Sequence, residues 1–158
     1  VRGARGVVVS DVAVSVEVPA PAGTAWLALT DWERQGEWML GTSVRVVSGN
    51  GRSVGSRLEA FTGAGGVGVT DLMEIISWEP PVRCTVRHLG KVVRGTGAFH
   101  VQARGPQHSA LVWSEDLDLP FGPVGKAGWL VAKPAFALGL RRSLERFARF
   151  AESYVVGR

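Results

Sequence analysis

The chain has 158 residues, a length suited to one domain, and its 46% hydrophobic and 20% charged content are ordinary for a soluble globular protein. Its single cysteine, Cys84, excludes an internal disulfide and fits a reducing cytoplasm. The net charge of +4 invites a nucleic-acid reading, but the basic residues form no dense stripe interleaved with exposed aromatics.

Val8 to Val18 alternates, with Val12, Val14, Val16 and Val18 on one face and Asp11, Ser15 and Glu17 on the other, the period of a half-buried strand. Pro19 and Pro21 stop it. Ala22 to Thr30 predicts a short helix with Trp26 and Leu29 inward, and Asp31 is placed to cap a second short helix over Trp32 to Met39. Strands then follow without interruption. Val44 to Val47 leads to Asn50-Gly51, a hairpin signal, and Ser56 to Phe61 leads to a glycine loop at Gly63 to Gly66. Val67 to Trp78 is a long strand ended by Pro80-Pro81. Arg83 to Leu89 alternates, with Cys84, Val86 and His88 on one side. Gly90-Lys91 turns the chain into Val92 to Ala103, with Phe99 and Val101 on its apolar face. After Gly105-Pro106, Ala110 to Leu119 is the last strand.

The final element is the long helix, Trp129 to Tyr154. Phe136, Leu140, Leu144, Phe147, Ala151 and Tyr154 recur at steps of three and four, so they share one face. Glu145 and Arg149 lie opposite, in the favourable order for an exposed pair. Such a helix needs a surface to cover its apolar stripe. The apolar window Phe121 to Leu140 is interrupted by Lys126, Lys133 and Pro134, so stable membrane insertion is not expected. Consecutive strands joined by short turns imply antiparallel pairing. The expected fold is therefore α+β: a curved antiparallel sheet of about seven strands wrapped on a long C-terminal helix, with two short helices after the first strand. It is read as one domain over residues 1–158, with no charged-then-apolar leader, located in the cytoplasm, and monomeric or homodimeric.

Several patterns occur in a recognisable order. They are Val16-Glu17-Val18-Pro19-Ala20-Pro21 leading into Trp26; Thr30-Asp31-Trp32-Glu33 with Trp38; Thr70-Asp71 with Glu74 and Trp78-Glu79-Pro80-Pro81; Trp113-Ser114-Glu115-Asp116 with Leu119-Pro120; and Arg142-Ser143-Leu144-Glu145. Together they resemble the START-like, or Bet v 1-like, superfamily, in its polyketide cyclase/dehydrase and lipid transport (SRPBCC) branch. One departure is Gly36, where relatives often carry proline two residues before the aromatic. The resemblance implies a helix-grip fold with a deep cavity for an apolar or aromatic molecule. Some relatives bind or carry lipids, quinones or hormones, and a few cyclise polyketides.

The motifs for other chemistries lack their context. Gly51-Arg52-Ser53-Val54-Gly55 matches a nucleophile elbow but lies between strands, where no strand-to-helix turn can expose the serine. Gly63 to Gly68 matches a dinucleotide fingerprint but precedes a strand; it reads as a mobile loop that could gate a cavity. His88, His100 and His108 have no metal-ligand spacing, so no metal and no cofactor are expected.

Glu115 is the charged residue in the apolar frame Leu111, Trp113, Leu117, Leu119. A carboxylate there serves as an acid, a base or a ligand anchor; alternatively it sits at the sheet rim, or a bulge turns it outward. Glu74 poses the same question in the frame Thr70, Leu72, Ile76, Trp78, with Arg57 as a partner for either carboxylate. His88 is either a satisfied half-buried histidine or a proton carrier. The candidate ligand-contacting residues are Trp26, Trp38, Leu72, Val86, His88, Phe99, Trp113, Glu115, Phe136, Leu140, Leu144 and Phe147, most of which also serve as core. Arg141, Arg142, Arg146 and Arg149 read as a solvated basic face. Three functions follow: a binder or carrier of a small apolar or aromatic molecule, a polyketide aromatase/cyclase using Glu115, His88 or Glu74 for proton transfer, and an interaction module whose loops close on a ligand.

Overall fold

The alternating valines of the first strand form β1 (Val12–Val18), with Val12, Val14 and Val18 buried and Ser15 and Glu17 exposed. The computed structural model describes residues 12–91, 93–118 and 122–156. The part of the first strand expected at residues 8–11 lies outside the described residues, as do Val92, Leu119, Pro120 and Phe121.

Helix α1 (Ala22–Leu29) starts after Pro21 and buries Ala25, Trp26, Ala28 and Leu29. Thr30 closes the last turn, its backbone N–H and its Oγ1 both donating to the Trp26 carbonyl, at 3.0 and 2.8 Å. The second short helix is a 3-10 turn, Trp32–Glu37, two residues shorter than its expected end at Met39. Asp31 makes no capping bond there. Its Oδ2 instead accepts from the Tyr154 hydroxyl at 2.9 Å, so the expected cap is a tether to the end of the last helix.

Six strands then run consecutively: β2 (Thr42–Ser48), β3 (Arg57–Ala64), β4 (Val67–Glu79), β5 (Arg83–Leu89), β6 (Arg94–Gly105) and β7 (His108–Asp118). All pairs are antiparallel, in the order β1-β7-β6-β5-β4-β3-β2. β1 and β2 are thus opposite edges, and α1 with the 3-10 turn carries the chain between them. Helix α2 (Gly122–Glu152) lies across the curved sheet and completes the helix-grip fold.

Two connections differ from expectation. Asn50-Gly51 does not join β2 to β3 as a two-residue hairpin; it sits within a longer link over residues 49–56. There Asn50 Oδ1 accepts from the Arg52 amide at 2.7 Å, and Trp32 Nε1 donates to the Gly51 carbonyl at 2.7 Å, pinning the link to the 3-10 turn. The glycine run is not a loop. Gly65 and Gly66, at φ 60° and 79°, form the two-residue turn of a β3–β4 hairpin, and Gly63 pairs with Gly68 inside the ladder. A Cβ on Gly63 would come within 2.2 Å of the Val67 carbonyl oxygen, so the pair needs glycine for close approach.

α2 is longer than the expected Trp129–Tyr154 at its start. Its second half buries Leu140, Leu144, Phe147 and Ala151 of the stripe read from the sequence, together with Ser143. Phe136 of that stripe is exposed and Tyr154 is half-buried just beyond the helix end, while Val124, Leu130 and Val131 in the first half are exposed. The Ser143 hydroxyl accepts from the Leu40 amide at 3.1 Å, and Arg146 Nη2 donates to the Glu37 carbonyl at 3.0 Å. Together with Tyr154 these bonds fasten α2 to the short elements rather than to the sheet alone. Among the described residues, no helix is long and apolar enough to cross a membrane.

Candidate functional site

Sheet and helix do not meet along their whole length. Below, Trp38 stands edge-on to Phe147, ring centroids 5.0 Å apart, and fills the space with Leu144. Above this plug lies a cavity of about 440 Å³ between the concave face of the sheet and α2. Its walls are mostly aliphatic and aromatic side chains from β2 to β7 and from α2.

Three strands bring titratable side chains to that wall. β5 presents Cys84, Val86 and His88 on its buried face. β7 presents Leu111, Trp113 and Glu115 on its own. β4 presents Val69, Asp71 and Met73. His88 is 8% exposed and Glu115 6%. The His88 Nδ1 lies 2.7 Å from Asp71 Oδ2, and its Nε2 lies 3.0 Å from Glu115 Oε2. The second Glu115 oxygen accepts from the Trp113 indole N–H at 2.7 Å. One imidazole thus bridges two carboxylates. Both contacts are hydrogen bonds only where each carries a proton, on the ring nitrogen or on the carboxyl oxygen.

Burial by itself would lower the His88 pKa. The hydrogen bonds to Asp71 and Glu115, with the charges of both carboxylates, outweigh it and hold His88 up at about 9. The imidazolium is then the dominant form near neutrality. Buried groups perturbed in this way concentrate at functional sites because proton transfer depends on such tuning. Among the described residues, no group of His, Cys, Asp and Glu is arranged to hold a metal ion.

Of the candidate contact residues, Val86, His88, Phe99, Trp113, Glu115, Phe136 and Leu140 line the cavity. Trp38, Leu144 and Phe147 lie in the plug beneath it, and Trp26 packs edge-on against Trp78 at 5.0 Å, so these four are core. Leu72 and Glu74 do not reach the cavity. Glu74 pairs with Arg57 at 3.3 Å on the other face of the sheet. The expected frame of β4 is corrected by a bulge: the β4–β5 register shifts between Ile75 and Ser77. Residues before the shift point inward at odd numbers and those after it at even numbers, so Ile75 and Trp78 both face the core.

Asp71 is the site residue that reading the sequence missed. Both frames of β4 alternate equally well, so periodicity could not choose between them. The signal lay in Gly65-Gly66. Read as a two-residue turn, it pairs Ala60 with Asp71 and Leu58 with Met73, which puts Asp71 beside two inward residues of β3.

A curved antiparallel sheet gripping a C-terminal helix around an apolar cavity is the START-like, helix-grip fold. The family model for "Polyketide cyclase / dehydrase and lipid transport" matches residues 10–152. The chain belongs to that family. Among solved structures it is similar to the protein TTHA0849 of Thermus thermophilus, with 17% identity and a TM-score of 0.74, covering 89% of this chain and 95% of that one. It is similar to the Zhui aromatase/cyclase of Streptomyces sp. R1128, with 16% identity and a TM-score of 0.74, covering 89% and 92%. It also resembles a START superfamily protein of Mycobacterium smegmatis, with 17% identity and a TM-score of 0.65, covering 89% and 93%. At these identities the likeness is one of fold. No curated protein matches the chain in sequence.

Proposed function

We propose that this chain binds a small apolar or aromatic molecule, of lipid, quinone or polyketide type, in the cavity between the sheet and α2. The observation that carries this reading is the cavity: about 440 Å³, with mostly apolar walls and one cluster of ionisable side chains, around His88, among its described lining residues. Small-ligand pockets share this make-up and typically run from about 300 to 1,000 Å³. Burying about 200 Å² of apolar ligand surface there contributes on the order of 5 kcal/mol. Val86, Phe99, Phe136 and Leu140 supply that surface, and His88, Glu115 and Asp71 orient the ligand's polar end.

Native mass spectrometry of the purified protein, followed by organic extraction, tests this reading. One equivalent of an apolar or polycyclic adduct is expected. Gly139 offers a control, because it lines the cavity and a Cβ there meets nothing within 4 Å. Gly139→Phe should keep the fold and abolish uptake of a fluorescent naphthalene probe. A clean apo mass, with probe binding untouched by Gly139→Phe, would sink the proposal.

The His88 cluster favours a second reading, an aromatase/cyclase that closes and dehydrates a polyketide-type chain. Dehydration here would move a proton from the carbon beside a carbonyl to Asp71 or Glu115. His88 would give its proton to the departing hydroxyl, which leaves as water while the carbon–carbon double bond forms. Glu115→Gln discriminates: lost turnover with retained binding supports the enzyme, and unchanged turnover removes Glu115 from the mechanism. Glu74, paired with Arg57 outside the cavity, takes no part in this reading.

A further inference from the structure

The charge of the cavity wall can be counted without deciding where each proton sits. Asp71, His88 and Glu115 are joined through one imidazole, by contacts of 2.7 and 3.0 Å. With both contacts made as hydrogen bonds, an imidazolium faces two carboxylates and the cluster carries −1. Moving either ring proton onto its carboxylate leaves a neutral imidazole, one carboxylic acid and one carboxylate, and the sum is still −1. Among the described residues, no lysine or arginine lines the cavity to offset it. Arg57, on β3, is taken up by Glu74 on the other face of the sheet. On β6, Gly95 stands opposite His88 and Gly97 opposite Glu115, and the cavity-facing residues of α2 are Phe136, Gly139, Leu140 and Ser143, all without charge.

The cluster also has unused accepting capacity on one side. Both Glu115 oxygens are occupied, by His88 and by the Trp113 indole. Asp71 Oδ1 accepts no hydrogen bond from the described residues, and Asp71 lines the cavity. A buried acceptor without a donor is costly, and more so when it belongs to a charged group.

We infer that the cavity selects ligands whose inserted end is a hydrogen-bond donor, above all a protonated amine on an apolar or aromatic body, and rejects those ending in a carboxylate or phosphate. The inference rests on the proposed binding in this cavity and narrows it to a charge class. A cation entering the apolar space brings the local charge to zero and gives the Asp71 carboxylate a donor. An anion raises the local charge to −2 between apolar walls that screen it poorly. A neutral phenol or alcohol falls between, since it supplies the donor without the charge.

Three probes with the same ring system test this: 2-naphthylmethylamine, 2-naphthylmethanol and 2-naphthoate, titrated at pH 7 by calorimetry and by fluorescence of the cavity tryptophans. The amine should bind at least about tenfold more tightly than the alcohol, and the naphthoate at least about tenfold more weakly. Asp71→Asn, checked for fold by circular dichroism, should reduce the amine-to-alcohol ratio to within about threefold and improve naphthoate binding. Naphthoate binding as tightly as the amine in the unmodified protein overturns the inference while the cavity reading stands. If none of the three binds, the cavity reading fails and this inference falls with it.

Discussion

Gly97 stands directly across from Glu115 in the β6–β7 ladder, and the space a side chain would fill at Gly97 holds the Glu115 carboxylate. A Cβ at Gly97 would come within 2.8 Å of Glu115 Oε1 and 2.9 Å of Oε2. The inward tilt of the carboxylate toward His88 and Trp113 therefore depends on a glycine one strand away. Gly97→Ala should fold, because the atoms it meets are the tip of a side chain. It should also displace the carboxylate and break its bonds to His88 and Trp113. The His88 imidazole should then titrate below about 9, as followed by NMR, and an unchanged titration would show that the carboxylate is not held there.

The same cluster makes stability depend on pH. His88 is held at about 9 in the folded chain against an ordinary 6.5, so the folded state binds this proton more tightly than the unfolded state. Its stabilisation is fully present below about pH 6.5 and is lost as pH rises through about 9. At about 1.4 kcal/mol per pH unit, the loss is on the order of 3 kcal/mol. Denaturant unfolding at pH 6.5 and pH 9.5 should reveal this fall, and His88→Gln should lack it. Equal pH slopes for the two proteins would contradict the assignment.

Cys84 lies on β5, two residues before Val86, and is fully buried. Burial pushes its thiol up to about 12, which leaves almost no thiolate at neutral pH. Iodoacetamide at pH 8 should not label the native protein and should label it fully in denaturant. Rapid native labelling would place this strand face at the surface.

Tyr154 and Asp31 are 123 positions apart and joined by a hydrogen bond of 2.9 Å. The bond ties the end of α2 to the start of the 3-10 turn, whose Arg34 side chain also lies over the Tyr154 ring at 5.5 Å. Tyr154→Phe keeps the ring and removes the donor, at a cost of about 1 kcal/mol. The Tm should drop by roughly 2–4 °C. A double-mutant cycle with Asp31→Ala should return a coupling of similar size, whereas additive effects would mean that the bond carries no stability.

The alternation of valines in β1, the odd-numbered residues of β7 and the three-and-four spacing along α2 were legible because backbone geometry imposes those periods on any chain that buries one face. Their order, with two short helices between the first and second strands, was enough to define one antiparallel sheet on one long helix and to carry the family resemblance. Glu115 stood out for the same reason, as a charge in an apolar frame. Periodicity stops at the strand. Which face of β4 turns inward was decided by the Gly65-Gly66 turn and by the bulge between Ile75 and Ser77, because a shift of one residue exchanges the two faces. That choice brought Asp71 to the cavity and sent Glu74 to Arg57. Trp38 and Phe147 read as cavity wall and proved to be its floor, because only their packing against each other fixes where the space begins. The meeting of Asp71, His88 and Glu115, from strands distant in sequence, belongs to the tertiary structure alone: no local pattern records which side chains the registers of several ladders bring within a hydrogen bond of one another.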